Sequence, residues 1–312
     1  MNKKQPLWGD KPYVSLDYTL KQQYGHKVYR IALNGGMTCP NRDGSLSDRG
    51  CIFCSAGGSG DFAGDCNLSI TEQLDQGIRD LEQKRPCKGY IAYFQAYTNT
   101  YAPLPYLRKI FTEAISHPKV HLISIGTRPD CLSPEVVELL SELNRIKPVW
   151  VELGLQTIHE ETATYIRRGY PLSCFEDALS RLRAQNLSVI VHVILGLPGE
   201  SSEDMLDTVR YLAHRDIQGI KLQLLHILEG TELATDYRQH PFPLFSQEEY
   251  CDFICRCIEQ LPTHIAIHRL TGDGPSKDMI APQWSLNKRS VLNQIHRTLK
   301  EQNTWQGRRF YE

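Results

Sequence analysis

Short apolar runs alternate with amphipathic segments over most of the chain. The runs are V-Y-R-I-A-L before Gly35, Tyr90 to Gln95, His121 to Gly126, Val149 to Gly154, Ser188 to Leu195 and Gly219 to His226. Each run is short and rich in β-branched or aromatic residues, which is typical of a buried strand. The pattern therefore predicts six strands.

A segment with helical spacing of apolar residues separates each predicted strand from the next. Ser69 and Glu72 form a capping-box pattern at the start of the first helix, which ends near Lys84. The other helices are predicted at Pro105 to His117, Pro134 to Arg145, Cys174 to Gln185 and Ser202 to His214. Because a parallel return needs a crossover, this alternation predicts an α/β fold with a partial (β/α)6 barrel. We expect the barrel at residues 25–230, between an N-terminal extension (1–24) and a C-terminal helical, closing extension (231–312).

Polar residues stand at the carboxyl ends of the predicted strands, where parallel α/β folds bind their ligands. They are Gln95, Arg128, Glu152, Gln156, His192, Gln223 and His226. A polar group inside an apolar strand is costly to bury unless it is paired or used. Glu152 and His192 are the clearest cases, and for both a structural hydrogen bond is the alternative to a functional role.

The composition is ordinary for a globular chain that buries a core, with 41% apolar and 23% charged residues. The start, M-N-K-K-Q-P-L-W-G-D, lacks the apolar run of a signal peptide, and no run of about 18 apolar residues follows. We therefore expect a cytoplasmic protein without a membrane span. In that compartment the ten cysteines do not predict a disulfide framework.

The net charge of −1 hides basic ends. Residues 1–50 carry eight basic and four acidic residues, and residues 288–312 carry six and two. The middle of the chain is correspondingly acidic. Basic ends fit an electrostatic footprint for a polyanion such as RNA, or simply solvated surface charge.

Three cysteines follow the first predicted strand in the spacing C-x11-C-x2-C. They are Cys39, Cys51 and Cys54. A C-x2-C pair and a returning loop bring three thiolates to one metal centre. A zinc site would want a fourth ligand at comparable spacing, whereas three cysteines fit an iron–sulfur cluster with one iron open to a non-protein ligand. Zinc and simple packing are the alternatives, and Phe53 is either an apolar plate beside the bound ligand or part of the core.

Three further cysteines, Cys251, Cys255 and Cys257, fall on a predicted helix. Cys251 and Cys255 are four residues apart and therefore share a helix face, as two metal ligands would. Ile254 and Ile258 continue an apolar stripe through the same segment, which favours buried helix cysteines.

Longer motifs resemble those of radical S-adenosylmethionine (SAM) enzymes. They are T-R-P-D at Thr127, V-E-L-G-L-Q-T at Val151, R-R-G-Y at Arg167, I-L-G-L-P-G-E at Ile194 and L-E-G-T-E-L at Leu228. The long cysteine spacing is similar to that of the branch with the Elp3-type elongator enzymes. A second set of motifs resembles the bacterial YhcC/YtqA type over nearly the whole chain. It includes C-P-N-R-D-G at Cys39, S-G-D-F-A-G at Ser59, Y-I-A-Y-F-Q-A-Y-T-N-T at Tyr90 and H-R-L-T-G-D-G-P at His268.

The resemblance implies a radical-SAM barrel and a cofactor site. Cys39, Cys51 and Cys54 would hold a 4Fe–4S cluster whose open iron binds SAM. Phe53 and backbone near Leu195 would flank the adenine of SAM, and Gln95 would bind its amino group. Arg168 would pair with the SAM carboxylate, for which a guanidinium fork is apt. Glu152 and Gln156 would bind ribose or substrate, and His192 completes the cofactor-binding set. The G-G-E motif usual after the second strand is absent.

The resemblance also implies a reaction. One branch of the type, named MnmL, is implicated in converting a carboxymethylaminomethyl group at C5 of the tRNA wobble uridine to aminomethyl. A carboxylate-bearing substrate needs a cation, for which Arg128, Lys221 and His226 are candidates, and Arg269 or Lys288 would reach in from the C-terminal extension. The implied partners are tRNA and an electron donor such as flavodoxin or ferredoxin. Two alternatives are the same chemistry on a small metabolite, and a zinc-stabilised RNA-binding protein without turnover.

Overall fold

The computed structural model describes residues 4–58 and 60–310. Lys3 and Glu312, counted above in the charged ends, and Ser59 of the S-G-D-F-A-G motif lie outside these residues. The strands are β1 (Tyr29–Leu33), β2 (Tyr90–Phe94), β3 (Val120–Thr127), β4 (Val149–Gln156), β5 (Ser188–Leu195), β6 (Gly219–Leu224), β7 (Ile227–Leu228), β8 (Ala266–Arg269) and β9 (Met279–Ala281).

Ten α-helices are found in the part of the chain that the structure describes. They are α1 (Leu16–Tyr24), α2 (Ile70–Glu82), α3 (Leu104–Ser116), α4 (Pro134–Asn144), α5 (Glu160–Tyr165), α6 (Leu172–Ala184), α7 (Ser202–Ala213), α8 (Glu232–Gln239), α9 (Gln247–Gln260) and α10 (Lys288–Glu301). Short 3-10 turns occupy Pro129–Cys131, Ser276–Asp278 and Gln283–Leu286. None of these helices has the length and apolar character needed to cross a membrane.

Seven strands form one sheet in the order β1-β2-β3-β4-β5-β6-β8. The pairs β1–β2, β2–β3, β3–β4 and β6–β8 are parallel, with helices in the crossovers. Every residue of β2 is buried, as expected for a parallel strand covered on both faces. All six predicted strands lie in this sheet, so the predicted α/β class with a partial barrel is confirmed.

β8 is a seventh strand, which the sequence pattern did not predict. It lies within the predicted closing extension, pairs with β6, and consists of only four residues, A-I-H-R. A run this short, with two polar residues, shows neither the length nor the alternation that identifies a strand. The domain boundaries at residues 24 and 230 stay predictions.

The described chain forms two compact units. The N-terminal unit comprises Leu20–Gly154 and Arg167–Ile190. The C-terminal unit comprises the residues up to Thr19, Leu155–Ile166 and the residues from Val191 onward. In the C-terminal unit β7 and β9 form a second, antiparallel sheet, which fixes the chain after β6 to the chain after β8.

Local sequence signals explain two packing features. The predicted capping box is confirmed, because the Ser69 hydroxyl accepts from Glu72 N at 3.2 Å while the Glu72 carboxylate accepts from Ser69 N at 2.8 Å. The α9 cysteines are completely buried. The Cys251 and Cys255 thiols donate to backbone carbonyls of α10 at 3.7 and 3.8 Å, which confirms their interpretation as packing residues.

Candidate functional site

Cys39, Cys51 and Cys54 are half-buried free thiols in the loop of residues 34–69, which follows β1 and is here called the cysteine loop. Cys54 N donates to the Cys51 carbonyl at 3.1 Å, so the C-x2-C pair closes a tight turn. Arg42 N closes another turn on the Cys39 carbonyl at 2.8 Å. The Arg42 guanidinium then reaches the Cys54 carbonyl at 2.8 Å and thereby links the two turns.

The thiol of Cys51 is strongly affected by its surroundings. Burial, and after it the charge of Cys54, raise the pKa of Cys51 to about 12, and Cys39 adds to this while Arg128 opposes it. A metal would reverse the balance, because a coordinating thiol is deprotonated.

The donor set fits a cluster better than a single ion. Within residues 4–58 and 60–310, no three His, Cys, Asp or Glu side chains are close enough to hold one metal ion. A tetrahedral zinc site would need sulfurs about 3.8 Å apart, given its bond lengths. A 4Fe–4S cluster holds its cysteine sulfurs further apart than a single ion does, since each cysteine binds a different iron atom.

Asn41 connects Cys51 to the turn at Arg167–Tyr170. Its Nδ2 donates to the Arg167 carbonyl at 2.6 Å and to Cys51 Sγ at 3.5 Å, and the side chain is almost fully buried. Gly169 in this turn has a φ of +82°, and a Cβ there would lie 3.0 Å from Asn41 Oδ1. Glycine is therefore needed for both the conformation and the close approach. Hydrogen bonds to thiolate sulfur are one means by which proteins tune iron–sulfur clusters.

Two buried arginines stack on Tyr170. The guanidinium carbons of Arg128 and Arg168 lie 4.8 and 5.0 Å from the ring centre, within cation–π range. Arg128 also forms a fork with Asp130, at 2.9 and 2.7 Å, and donates to the Arg168 carbonyl at 3.0 Å. The Tyr170 hydroxyl donates to the Gly154 carbonyl at 2.6 Å, and burial raises its pKa. Arg128 thus has an internal carboxylate partner, and its role as a substrate cation stays a prediction.

The N-terminal unit also holds Glu152, Phe53 and Gln95. Glu152 is buried, accepts from the Ser124 hydroxyl at 2.7 Å and lies 3.6 Å from Arg30, so it has structural partners. Phe53 is half-buried in the cysteine loop. Gln95 follows β2, and its N donates to the Leu33 carbonyl at 3.3 Å. Their roles toward SAM stay predictions.

The C-terminal unit holds the other candidates. Gln156 ends β4 with a left-handed φ of +69°, and His192 lies half-buried in β5. The Leu195 carbonyl accepts from Leu225 N at 2.9 Å, so that backbone oxygen already has a protein donor. Lys221 is buried in β6, directly opposite Arg269 of β8. The roles of these residues toward SAM or substrate stay predictions.

His226 follows β6 by two residues and lies close to two cations. Burial, then the charges of Lys288 and Arg269, lower its pKa to about 4, so the ring is neutral at neutral pH. Asp273 accepts from both cations, at 2.7 Å from Arg269 and in direct contact with Lys288. The structure therefore brings His226, Arg269 and Lys288 together, as a carboxylate-binding role would require.

Asn41, Tyr170 and Asp273 were missed by sequence reasoning. Asn41 stands in the C-P-N-R-D-G motif and Tyr170 in R-R-G-Y, so both were within recognisable strings. Nothing in residue type or spacing assigned them partners, because Arg167, which bonds to Asn41, is 126 residues away and Asp273 is placed by a strand that the pattern did not predict.

Comparisons with known proteins identify the family of the chain. The Radical SAM superfamily profile matches residues 44–212, and the Radical_SAM C-terminal domain profile matches residues 217–301. YtqA of Bacillus subtilis is 44% identical over 301 residues, which are 96% of this chain and 94% of YtqA. YhcC of Escherichia coli K12 is 35% identical over 283 residues, which are 90% of each protein.

Two further similarities are more distant. The tRNA uridine(34) acetyltransferase of Methanocaldococcus infernus is 27% identical over 157 residues, 49% of this chain and 29% of that protein. The structure of archaeal Methanocaldococcus infernus Elp3 superposes with a TM-score of 0.68 at 17% identity, and the match covers 89% of this chain and 64% of that chain. The superposition on Elp3 shows that the two proteins share a fold.

The superfamily profiles and the full-length relatives settle the class of the protein. Enzymes of this superfamily use a 4Fe–4S cluster and SAM, so the predicted cofactors are confirmed at the level of the family. A loop with three free cysteines after the first strand of a parallel sheet is the part of the chain that fits the cluster. The chain therefore belongs to the radical SAM superfamily, as an enzyme of the Elp3-related YhcC/YtqA type.

Proposed function

We propose that this enzyme modifies the C5 side chain of the tRNA wobble uridine, converting carboxymethylaminomethyl to aminomethyl. The observation that carries the proposal is the similarity to a protein named tRNA uridine(34) acetyltransferase, together with the fold shared with Elp3. Uridine 34 is the wobble position, so the name of that relative refers to the nucleotide proposed here.

In this proposal each part of the chain has a defined task. Cys39, Cys51 and Cys54 hold the cluster, and the Asn41 amide orients Cys51. The buried Arg168 offers a guanidinium fork for the SAM carboxylate. When bound, the cluster and SAM would supply abstraction of a hydrogen atom from the carboxymethyl CH2. Return of one electron to the cluster and hydrolysis by water would then break the C–N bond, releasing the two-carbon unit as glyoxylate and leaving the aminomethyl group.

The proposed partners follow from the chemistry. Radical SAM enzymes need a reductant, and we propose a small electron-transfer protein such as flavodoxin or ferredoxin. The RNA would present the uridine splayed from its loop, with phosphates near the basic ends of the chain.

Nucleoside analysis of tRNA tests the proposal directly. Cells that lack the protein should accumulate the carboxymethylaminomethyl uridine and lose the aminomethyl form. The wild-type gene should restore the aminomethyl form, and so should a Cys66→Ser variant, because Cys66 is exposed and outside the C-x11-C-x2-C set. Cys54→Ser should not restore it. An unchanged set of wobble uridines in the deletion strain would contradict the proposal.

Salt dependence separates RNA from a small metabolite as substrate. Binding of an anticodon stem-loop should weaken steeply as salt rises, because phosphate contacts release counterions. Binding that is insensitive to ionic strength would favour the small-metabolite alternative.

A further inference from the structure

A charged cluster in the C-terminal unit has one positive charge in excess. Arg269 ends β8, Asp273 follows four residues later, and Lys288 begins α10. Arg269 Nη2 lies 2.7 Å from Asp273 Oδ2, and Lys288 Nζ contacts Asp273 Oδ1. Two cations thus share a single carboxylate. All three side chains are partly exposed, so a ligand can reach them.

His226 contributes a buried polar atom with no partner to the same cluster. Its Nε2 is shielded from solvent and makes no hydrogen bond. Burial and the two nearby cations keep the imidazole neutral, as its lowered pKa indicates. Unsatisfied buried groups are costly and rare, and a ligand that accepts or donates there removes the cost.

Two glycines make room for the His226 ring. A Cβ at Gly272 would lie 2.5 Å from Cε1 of the ring, and one at Gly274 would lie 2.9 Å from Nδ1. Neither glycine has a left-handed φ, so the turn itself does not require them. The H-R-L-T-G-D-G-P segment is therefore shaped around this histidine.

The cluster is held at both ends by strands. β8 pairs with β6 before the segment, and β9 pairs with β7 after it. Glu229 N donates to the Asp278 carbonyl at 2.7 Å, and Arg269 Nη1 donates to Gln223 Oε1 at 3.2 Å. Arg269 and His226 both lie at or just past the carboxyl ends of parallel strands, the edge at which such sheets bind ligands.

We propose that Arg269, Lys288 and His226 form a subsite for a carboxylate of the substrate. The identity of that group rests on the proposed function, in which it is the carboxymethyl end of the uridine side chain. A second carboxylate would balance the two cations, and the imidazole Nε2–H would donate to it. The aminomethyl product has no carboxylate and carries its own positive charge, so the same cluster favours its release.

Binding of labelled anticodon stem-loops tests the subsite. One stem-loop carries carboxymethylaminomethyl uridine and the other carries aminomethyl uridine, and both are titrated onto anaerobic, cluster-loaded protein. The wild type should prefer the carboxylate form by about tenfold or more, as for a charge-assisted contact. Arg269→Gln and His226→Gln should remove the preference by weakening binding of the carboxylate form, while binding of the aminomethyl form does not weaken.

Arg289→Gln is the matched control. Arg289 follows Lys288 on α10 and is exposed, so the variant should keep the preference. Arg269→Lys, which retains charge but loses the fork, should keep part of it. A full preference in both Arg269→Gln and His226→Gln would overturn the subsite.

A second readout separates failure of the subsite from failure of the proposed function. If neither stem-loop binds the wild type, the tRNA proposal fails, and N-methylglycine is titrated instead while the His226 ring is followed by nitrogen NMR. A shift in the wild type that disappears in Arg269→Gln supports a carboxylate subsite for another substrate. The absence of any shift in the wild type overturns it.

Discussion

Replacing Asn41 with alanine tests whether one amide holds the cysteine loop in place. The change removes the 2.6 Å hydrogen bond to the Arg167 carbonyl and the 3.5 Å contact with Cys51 Sγ. Asn41 is only 3% exposed, so water does not readily replace either contact. We therefore expect effects on both the stability of the apo protein and the properties of the cluster.

The stability effect follows from the shorter contact. A buried carbonyl that loses its amide donor costs about 1–3 kcal/mol. In a folded unit of this size, that corresponds to a fall of roughly 2–12 °C in the thermal midpoint. The sulfur contact is long and adds little to stability. Its loss should move the reduction potential of the bound cluster to more negative values, since hydrogen bonds to sulfur favour the reduced, more negative cluster.

The assay compares Asn41→Ala with Asn67→Ala. Asn67 lies in the same loop, is exposed and bonds to the neighbouring Asp65 carboxylate, so its replacement should leave both quantities near the wild-type values. Thermal unfolding of the apo proteins and anaerobic potentiometric titration of the loaded proteins supply the two measurements. Equal midpoints and equal potentials for the two variants would refute the role assigned to Asn41.

Three further predictions concern the cysteine loop and the charged side chains around His226. Cys54→Ser should abolish the brown colour of the anaerobically reconstituted protein, whereas Cys66→Ser should retain it. A brown Cys54→Ser protein would contradict the assignment of Cys54 as a ligand of the iron–sulfur cluster. Gly272→Ala should lower the free energy of unfolding by about 1–3 kcal/mol, because the added Cβ meets the His226 ring, and an unchanged urea midpoint would contradict this packing. Since the pKa of His226 falls from 6.5 to about 4 on folding, the unfolded chain takes up the proton first, and stability should decrease as the pH drops through this window. The full loss of unfolding free energy from this group is about 3 kcal/mol. The urea midpoint of His226→Gln should therefore depend less on pH than that of the wild type. An equal pH dependence of the two midpoints would show that His226 is not held neutral.

The strands and helices were predictable because their signals are local. A buried parallel strand such as β2 is almost continuously apolar, and the capping box at Ser69 involves residues only three apart. The cysteine spacing was informative for the same reason, since the C-x2-C turn closes within its own residues.

The contacts that build the two sites were not predictable, because the fold creates them. Asn41 meets Arg167 across 126 positions of sequence, and no pattern of residue types marks that pair. The Arg269–Asp273–Lys288 arrangement depends on β8, whose four residues gave no recognisable strand signal. For Glu152 the sequence predicted burial within a strand, but it did not predict the hydrogen bond with Ser124.

β8 has a consequence for any attempt to produce a shortened protein. It covers the outer side of β6, and its own Ile267 N donates to the Val14 carbonyl at 2.8 Å. Truncation after residue 230 would leave the backbone groups of β6 without partners along that side, and an exposed sheet edge promotes aggregation. A fragment meant to stay monodisperse should therefore retain β8 and also α10, whose carbonyls accept from the buried thiols of α9.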